Sequence, residues 1–140
     1  MTKVLFCHGA EDRLQAAAAW LALDPRAESL VYAPDRQLGE HFDRLLWTQK
    51  AIGFLPHCRS DSPLAGATPI LIANSIETAS QHRCLLNLSN ELPPSFSRFE
   101  HLVEIISVED AVRLPARDRV KHYRDRGYEI QFRDLQKEPL

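Results

Sequence analysis

Short apolar runs alternating with amphipathic stretches constrain this chain more than any other feature of its sequence. Val4-Leu5-Phe6-Cys7 is a continuous apolar run closed by Gly9, and a run without polar alternation suits a strand covered on both faces. From Glu11 to Leu23, good helix formers carry apolar side chains at Leu14, Ala17, Ala18 and Leu21, and Asp24-Pro25 stops them. Ser29 to Ala33 reads as a second buried strand, and Asp35 as the N-cap of a helix reaching Trp47. This β-α-β-α alternation specifies a mostly parallel, twisted sheet with helices on both faces. The expectation is one Rossmann-like α/β domain over residues 1–133, without a nucleotide site, and a polar tail at 134–140.

Further along, Gly53 to Thr68 is rich in Pro, Gly and Ser and reads as loop. Pro69 to Ala73 and Cys84 to Leu88 read as strands, separated by a polar connection from Asn74 to Arg83. The strand His101 to Ile106 leads into Ser107-Val108-Glu109-Asp110, a capping-box-like start to a helix that runs to Arg126. Pro115 inside that helix predicts a kink, or a break with Pro115 opening a second segment. Gly127 suits the position just past the helix end, and Tyr128 to Phe132 alternates as a half-exposed last strand.

A chain of 140 residues buries roughly 68% of its unfolded surface, so it needs neither disulfide nor metal to fold. Seventeen basic against 19 acidic residues give a net charge of −2, which excludes a protein that wraps nucleic acid by its overall field. Any electrostatic site must be local. No apolar run approaches the ~20 residues of a membrane span, and Met1 to His8 reads as a strand rather than a signal peptide. A soluble cytoplasmic protein is expected. Cys7, Cys58 and Cys84 are odd in number and widely spaced, which favours free thiols, two of them in the core.

An α/β sheet invites a search for a nucleotide site at its first strand-to-helix turn. That turn, Cys7-His8-Gly9-Ala10-Glu11-Asp12, has one glycine and two acids where a phosphate needs backbone donors and cations. His57-Cys58 resembles the start of a cysteine-phosphatase loop, but the arginine position is Leu64. Cys7-His8 and His57-Cys58 lack the spacing with which one loop wraps a zinc. No G-x-S-x-G and no carboxylate dyad stands out, so no catalytic residue, cofactor or metal is expected.

Two surfaces stand out instead. Leu38, Phe42, Leu45 and Leu46 form the buried stripe of the second helix, and Trp47 lies about 180° from Leu38. Trp47 with Ile52, Phe54, Leu55 and Pro56 is then an apolar patch suited to a partner; otherwise the helix ends early and Trp47 folds inward. On the last helix, Ala116, Val120 and Tyr123 fall within about 80° of Val112, while Arg113, Arg124, Arg117 and Lys121 share a stripe at about 100° to 180°. Between Ala111 and Arg126 six cations face two aspartates. Such a stripe is either a solvated face or a seat for carboxylate or phosphate.

Three stretches carry a resemblance: Phe42-Asp43-Arg44-Leu45-Leu46-Trp47 through Gly53-Phe54-Leu55-Pro56-His57, Leu85-Leu86-Asn87-Leu88-Ser89 through Leu92-Pro93, and Val103-Glu104-Ile105-Ile106 through Arg117-Asp118-Arg119-Val120-Lys121-His122-Tyr123 to Tyr128. With them the chain resembles the chi subunit family of bacterial DNA polymerase III, along essentially its whole length. The resemblance implies a non-enzymatic adaptor that bridges the clamp loader, through its psi subunit, to the acidic C-terminal tail of single-stranded DNA-binding protein. Nucleic acid would be met only indirectly, and a helicase-like protein is a further candidate for the psi-facing surface. By position, Trp47, Phe54, Pro56 and His57 match the psi-facing region. Ile106, Arg113, Arg117 and Val120 match the tail-binding region, with Lys121 and Arg124 adding diffuse charge. Val120 stands where the family can carry an aromatic residue. The alternative from a different class is a small α/β enzyme or nucleotide binder with a degenerate motif.

Overall fold

The computed structural model describes residues 1–49, 53–77 and 79–140. Its elements in chain order are β1 (Lys3–Ala10), α1 (Arg13–Ala22), β2 (Ser29–Tyr32), α2 (Arg36–Thr48), β3 (His57–Arg59), β4 (Ile70–Ala73), β5 (Cys84–Asn87), β6 (His101–Ser107), α3 (Asp110–Asp125) and β7 (Glu129–Asp134). The seven strands form one sheet in the order β3-β4-β2-β5-β6-β1-β7, every neighbouring pair parallel. This is the expected Rossmann-like α/β architecture.

The continuous apolar runs are explained by burial on both sides of the sheet. Alternate residues Cys7, Val31, Ile72, Leu86 and Val103 meet Ala17, Ala18 and Leu21 of α1 and Phe42 and Leu46 of α2. Their neighbours Val4, Leu30, Leu71, Leu85 and Leu102 face the other way, toward Phe96, Phe99 and Tyr123. A smaller cluster of Phe6, Ile106 and Ala116 continues that second face beneath α3. Helices α1 and α2 thus cover one side and α3 the other.

Local chemistry sets most boundaries. The Asp12 carboxylate accepts from the Leu14 and Gln15 amides, so α1 starts at Arg13 and Glu11 stays outside it. Asp35 caps α2 in the same way through Gln37 N. Gly127, at φ +79°, ends α3: its amide bonds to the Arg124 carbonyl and the Tyr128 amide to the Tyr123 carbonyl, the paired bonds of a left-handed helix stop. At Gly39 a side chain would be impossible without movement, because a Cβ would lie 2.7 Å from Arg59 Nη1.

Four expectations need correction. The segment Gly53 to Thr68 is not all loop: His57–Arg59 adds a three-residue parallel edge strand to β4, too short to carry a period. The capping box does not form, because Ser107 ends β6 and Glu109 is the N-cap without a side-chain bond. Of the kink or break expected at Pro115, the break does not occur, since α3 continues through that residue; the carbonyl that Pro115 leaves without a donor belongs to exposed Ala111, where solvent can take it. The last strand starts at Glu129 rather than Tyr128 and continues to Asp134, with Leu135 packed against the core.

All three cysteines are free; Cys7 and Cys84 are buried, and Cys58 is half-buried. Burial pushes the Cys7 and Cys84 thiols up to about 11. A thiol-reactive reagent at pH 8 should therefore modify Cys58 first and reach the other two only on unfolding, as a timed titration would record. The same shift makes stability fall as pH rises from about 9, where thiols of the unfolded chain ionise, to about 11. Urea midpoints measured across that window would record the fall.

Candidate functional site

The aromatic patch is assembled by the end of α2 and the approach to β3. Trp47 is 61% exposed and Phe54 71%, their ring centroids 6.0 Å apart, so α2 carries Trp47 outward as its helical phase requires. Leu55, in contrast, is core rather than surface, Pro56 is half-buried, and Ile52 lies outside the described residues. His57 is also an inward residue. Its Nδ1 donates to the Leu55 carbonyl at 2.6 Å. Its Nε2 lies 3.2 Å from Asp43 Oδ1, without hydrogen-bond alignment. The Trp47 ring rests on it at 4.9 Å. His57 props Trp47 and presents little surface of its own.

The basic stripe is also real geometry. Arg117, Lys121 and Arg124 are exposed, and no ion pair engages them among the described residues. Arg113 is tied to Asp110 at 2.6 Å. Val120 is half-buried against Phe6 and Ile106. Ile106 itself is 1% exposed, so it forms the floor under Val120 rather than a contact surface.

Sequence reasoning missed a polar network inside the sheet. Glu104, fully buried in the centre of β6, accepts from Arg119 Nε at 2.8 Å and Nη2 at 3.1 Å, from the Tyr123 hydroxyl at 2.7 Å, and from Asn87 Nδ2 at 3.1 and 3.2 Å. Asn87 in turn accepts from the Ser89 amide and hydroxyl. Burial, and then the Glu104 charge, drives the Tyr123 hydroxyl far above its ordinary range. The signal was present in the sequence: Glu104 interrupts an apolar strand, and Arg119 falls on the same helical side as Ala116 and Tyr123, away from Arg113, Arg117, Lys121 and Arg124.

A second buried arginine lies at the carboxyl ends of β5 and β6. Arg13, the first residue of α1, donates to the carbonyls of Ile105 at 2.7 Å and Ser89 at 2.8 Å and to Asn90 Oδ1 at 2.8 Å. Burial lowers its pKa to about 10, against the opposing pull of Glu104. The guanidinium thus ties the start of α1 to the ends of β5 and β6. Among the described residues no group of three or more His, Cys, Asp or Glu is placed to hold a metal, and no helix is long and apolar enough to cross a membrane.

Fold and site together define a Rossmann-like α/β protein with a buried Glu104–Arg119 network, an aromatic patch at one sheet edge and a basic helix near the other. Residues 1–131 match the family described as DNA polymerase III chi subunit, HolC. The chain is 26% identical over 101 residues to DNA polymerase III subunit chi of Pseudomonas aeruginosa, covering 72% of this chain and 70% of the relative. With DNA polymerase III subunit chi of Escherichia coli strain K12 it shares 28% over 102 residues, 72% and 69% of the two chains. With that of Haemophilus influenzae it shares 32% over 89 residues, 63% and 62%. The chain belongs to the DNA polymerase III chi subunit family, and so to the accessory proteins of DNA replication associated with that holoenzyme.

Breaking the buried pair leaves an uncompensated charge, so Arg119→Ala should cost about 3–5 kcal/mol. Tyr123→Phe, which removes one bond to a charged acceptor, should cost about 1.5–3 kcal/mol. Urea denaturation of the two variants beside the wild type measures both.

Proposed function

We propose that this protein is a non-enzymatic, cytoplasmic adaptor of the replicative polymerase. In this reading Trp47 and Phe54 engage the psi subunit of the clamp loader, with Pro56 and His57 supporting them. The α3 face, with Arg113, Arg117, Lys121, Arg124 and Val120 over Ile106, engages the acidic C-terminal tail of single-stranded DNA-binding protein. The observation that carries the reading is the placement of the two surfaces. The aromatic patch adjoins β3, at one edge of the sheet and on the α1–α2 side; the basic helix lies on the other side, beside β7 at the opposite edge. Six strand spacings separate those edges, about 28 Å, so both surfaces can be occupied at once, as a bridge requires.

The two contacts have separable tests. Arg117 supplies a planar fork for the tail's terminal carboxylate, and a charge-assisted bond of that kind contributes about 1.5–3 kcal/mol. Arg117→Ala should thus weaken tail-peptide binding by about ten- to a hundredfold in a calorimetric titration, and added salt should weaken the wild-type complex. Phe54→Ala should lose the clamp-loader partner in a pull-down while its thermal midpoint stays at the wild-type value. A Phe54→Ala protein that retains the partner contradicts the assignment of that patch.

A further inference from the structure

Arg59 belongs to neither of the surfaces described above. It is the last residue of the edge strand β3 and shares a face of that strand with His57, two residues earlier. Helix α2 runs alongside, with Asp43 opposite His57 and Gly39 opposite Arg59, where a Cβ would lie 2.7 Å from Arg59 Nη1. Glycine inside a helix weakens it relative to alanine. The chain places one where it leaves room for a guanidinium. Arg59 Nη1 is buried there without a hydrogen-bond partner, and no ion pair engages the side chain among the described residues.

Beside that guanidinium lies a cleft of about 510 Å³, the size of a small-molecule site. It opens at the carboxyl ends of β3 and β4, where Arg59 and Asn74 stand, and open parallel sheets bind their ligands outside those ends. The lining selects the ligand. Arg36 and Arg44 lie about 12 Å apart along α2, with Arg59 between them at the level of Gly39, and Glu40, Asp43 and Asp61 supply carboxylates. No apolar residue lines the cleft among those described, so an aromatic base or an apolar anchor would find no surface to cover it. Arg36 is held by Glu40 at 3.2 Å. Arg44 and Arg59 have no ion pair among the described residues, and guanidinium groups match phosphate oxygens with paired bonds. Asp43 and Asp61 are acceptors suited to hydroxyl groups. With three guanidiniums against three carboxylates, one phosphate is accommodated and a triphosphate is not.

We propose that this cleft binds a small, hydroxyl-rich phosphate ester of the sugar phosphate class, with the phosphate on Arg59 and the hydroxyls on Asp43 and Asp61. Gly39 is the residue that lets Arg59 hold its place. The proposal does not rest on either protein contact.

The test titrates ribose 5-phosphate, inorganic phosphate, ribose and adenosine monophosphate calorimetrically into the intact protein. Ribose 5-phosphate should bind saturably, inorganic phosphate more weakly, and ribose not measurably. Adenosine monophosphate should bind no more tightly than ribose 5-phosphate. Arg59→Gln should weaken ribose 5-phosphate binding at least about tenfold. Gly39→Ala removes no charge and favours the helix, yet should weaken binding as well by displacing the guanidinium; it decides the matter if Arg59→Gln fails to fold, which circular dichroism would register. Asp61→Asn should weaken ribose 5-phosphate without weakening inorganic phosphate. A wild type that does not bind ribose 5-phosphate, or binding unchanged in Arg59→Gln or Gly39→Ala, would overturn the site. Tighter binding of adenosine monophosphate would overturn the ligand class.

Discussion

A carboxylate at the centre of a buried parallel strand is the constraint on which the second half of the molecule is built. Glu104 has no access to water, and an isolated charge there would be prohibitively costly. The chain answers with Arg119 in a two-point grip, the Tyr123 hydroxyl and the Asn87 amide, so that the charge is matched and its lone pairs are used. Because Arg119 and Tyr123 both belong to α3, the network fixes the helix in rotation as well as position. Once they turn inward, 3.6-residue geometry turns Arg117, Lys121 and Arg124 outward. The buried acid thereby dictates the charge of a distant surface. It also helps explain how Pro115 is accommodated, since α3 is tied to the sheet by side chains well beyond that residue.

The same logic operates one residue further along β6, at Ile105. Arg13 spends its donors on carbonyls and an amide oxygen at the carboxyl ends of the strands. This is the position that open α/β sheets commonly leave free for ligands. The Trp47–Phe54 pair and the junction of α3 with β7 lie at the sheet's two edges.

Much of this was legible in the sequence, for physical reasons that also explain the failures. Strands β1, β2, β4, β5 and β6 announce themselves as apolar runs because both of their faces are covered, and Asp12 and Asp35 mark helix starts because a carboxylate meets free amides there. The phase of α2 placed Trp47 in solvent. Strand β3 was invisible: three edge residues carry no period, and its pairing with β4 is set by tertiary contact. Arg119 was counted with its basic neighbours because charge composition ignores phase, and only Glu104 across the interface reveals its role. Leu55, His57 and Ile106 proved to be supports beneath the surfaces, since adjacency in sequence does not say which of several neighbours points outward. Phe132 was read as half of an alternating strand; only its register with Phe6 places it beside α3.

If the outward face of α3, held in place by the Glu104 network, is a ligand surface independent of the Trp47–Phe54 patch, an acidic peptide titrated into isotopically labelled protein should shift the NMR amide signals of residues 113–124 and leave the Trp47 indole signal unmoved. Shifts centred on Trp47 and Phe54, with α3 silent, would contradict it.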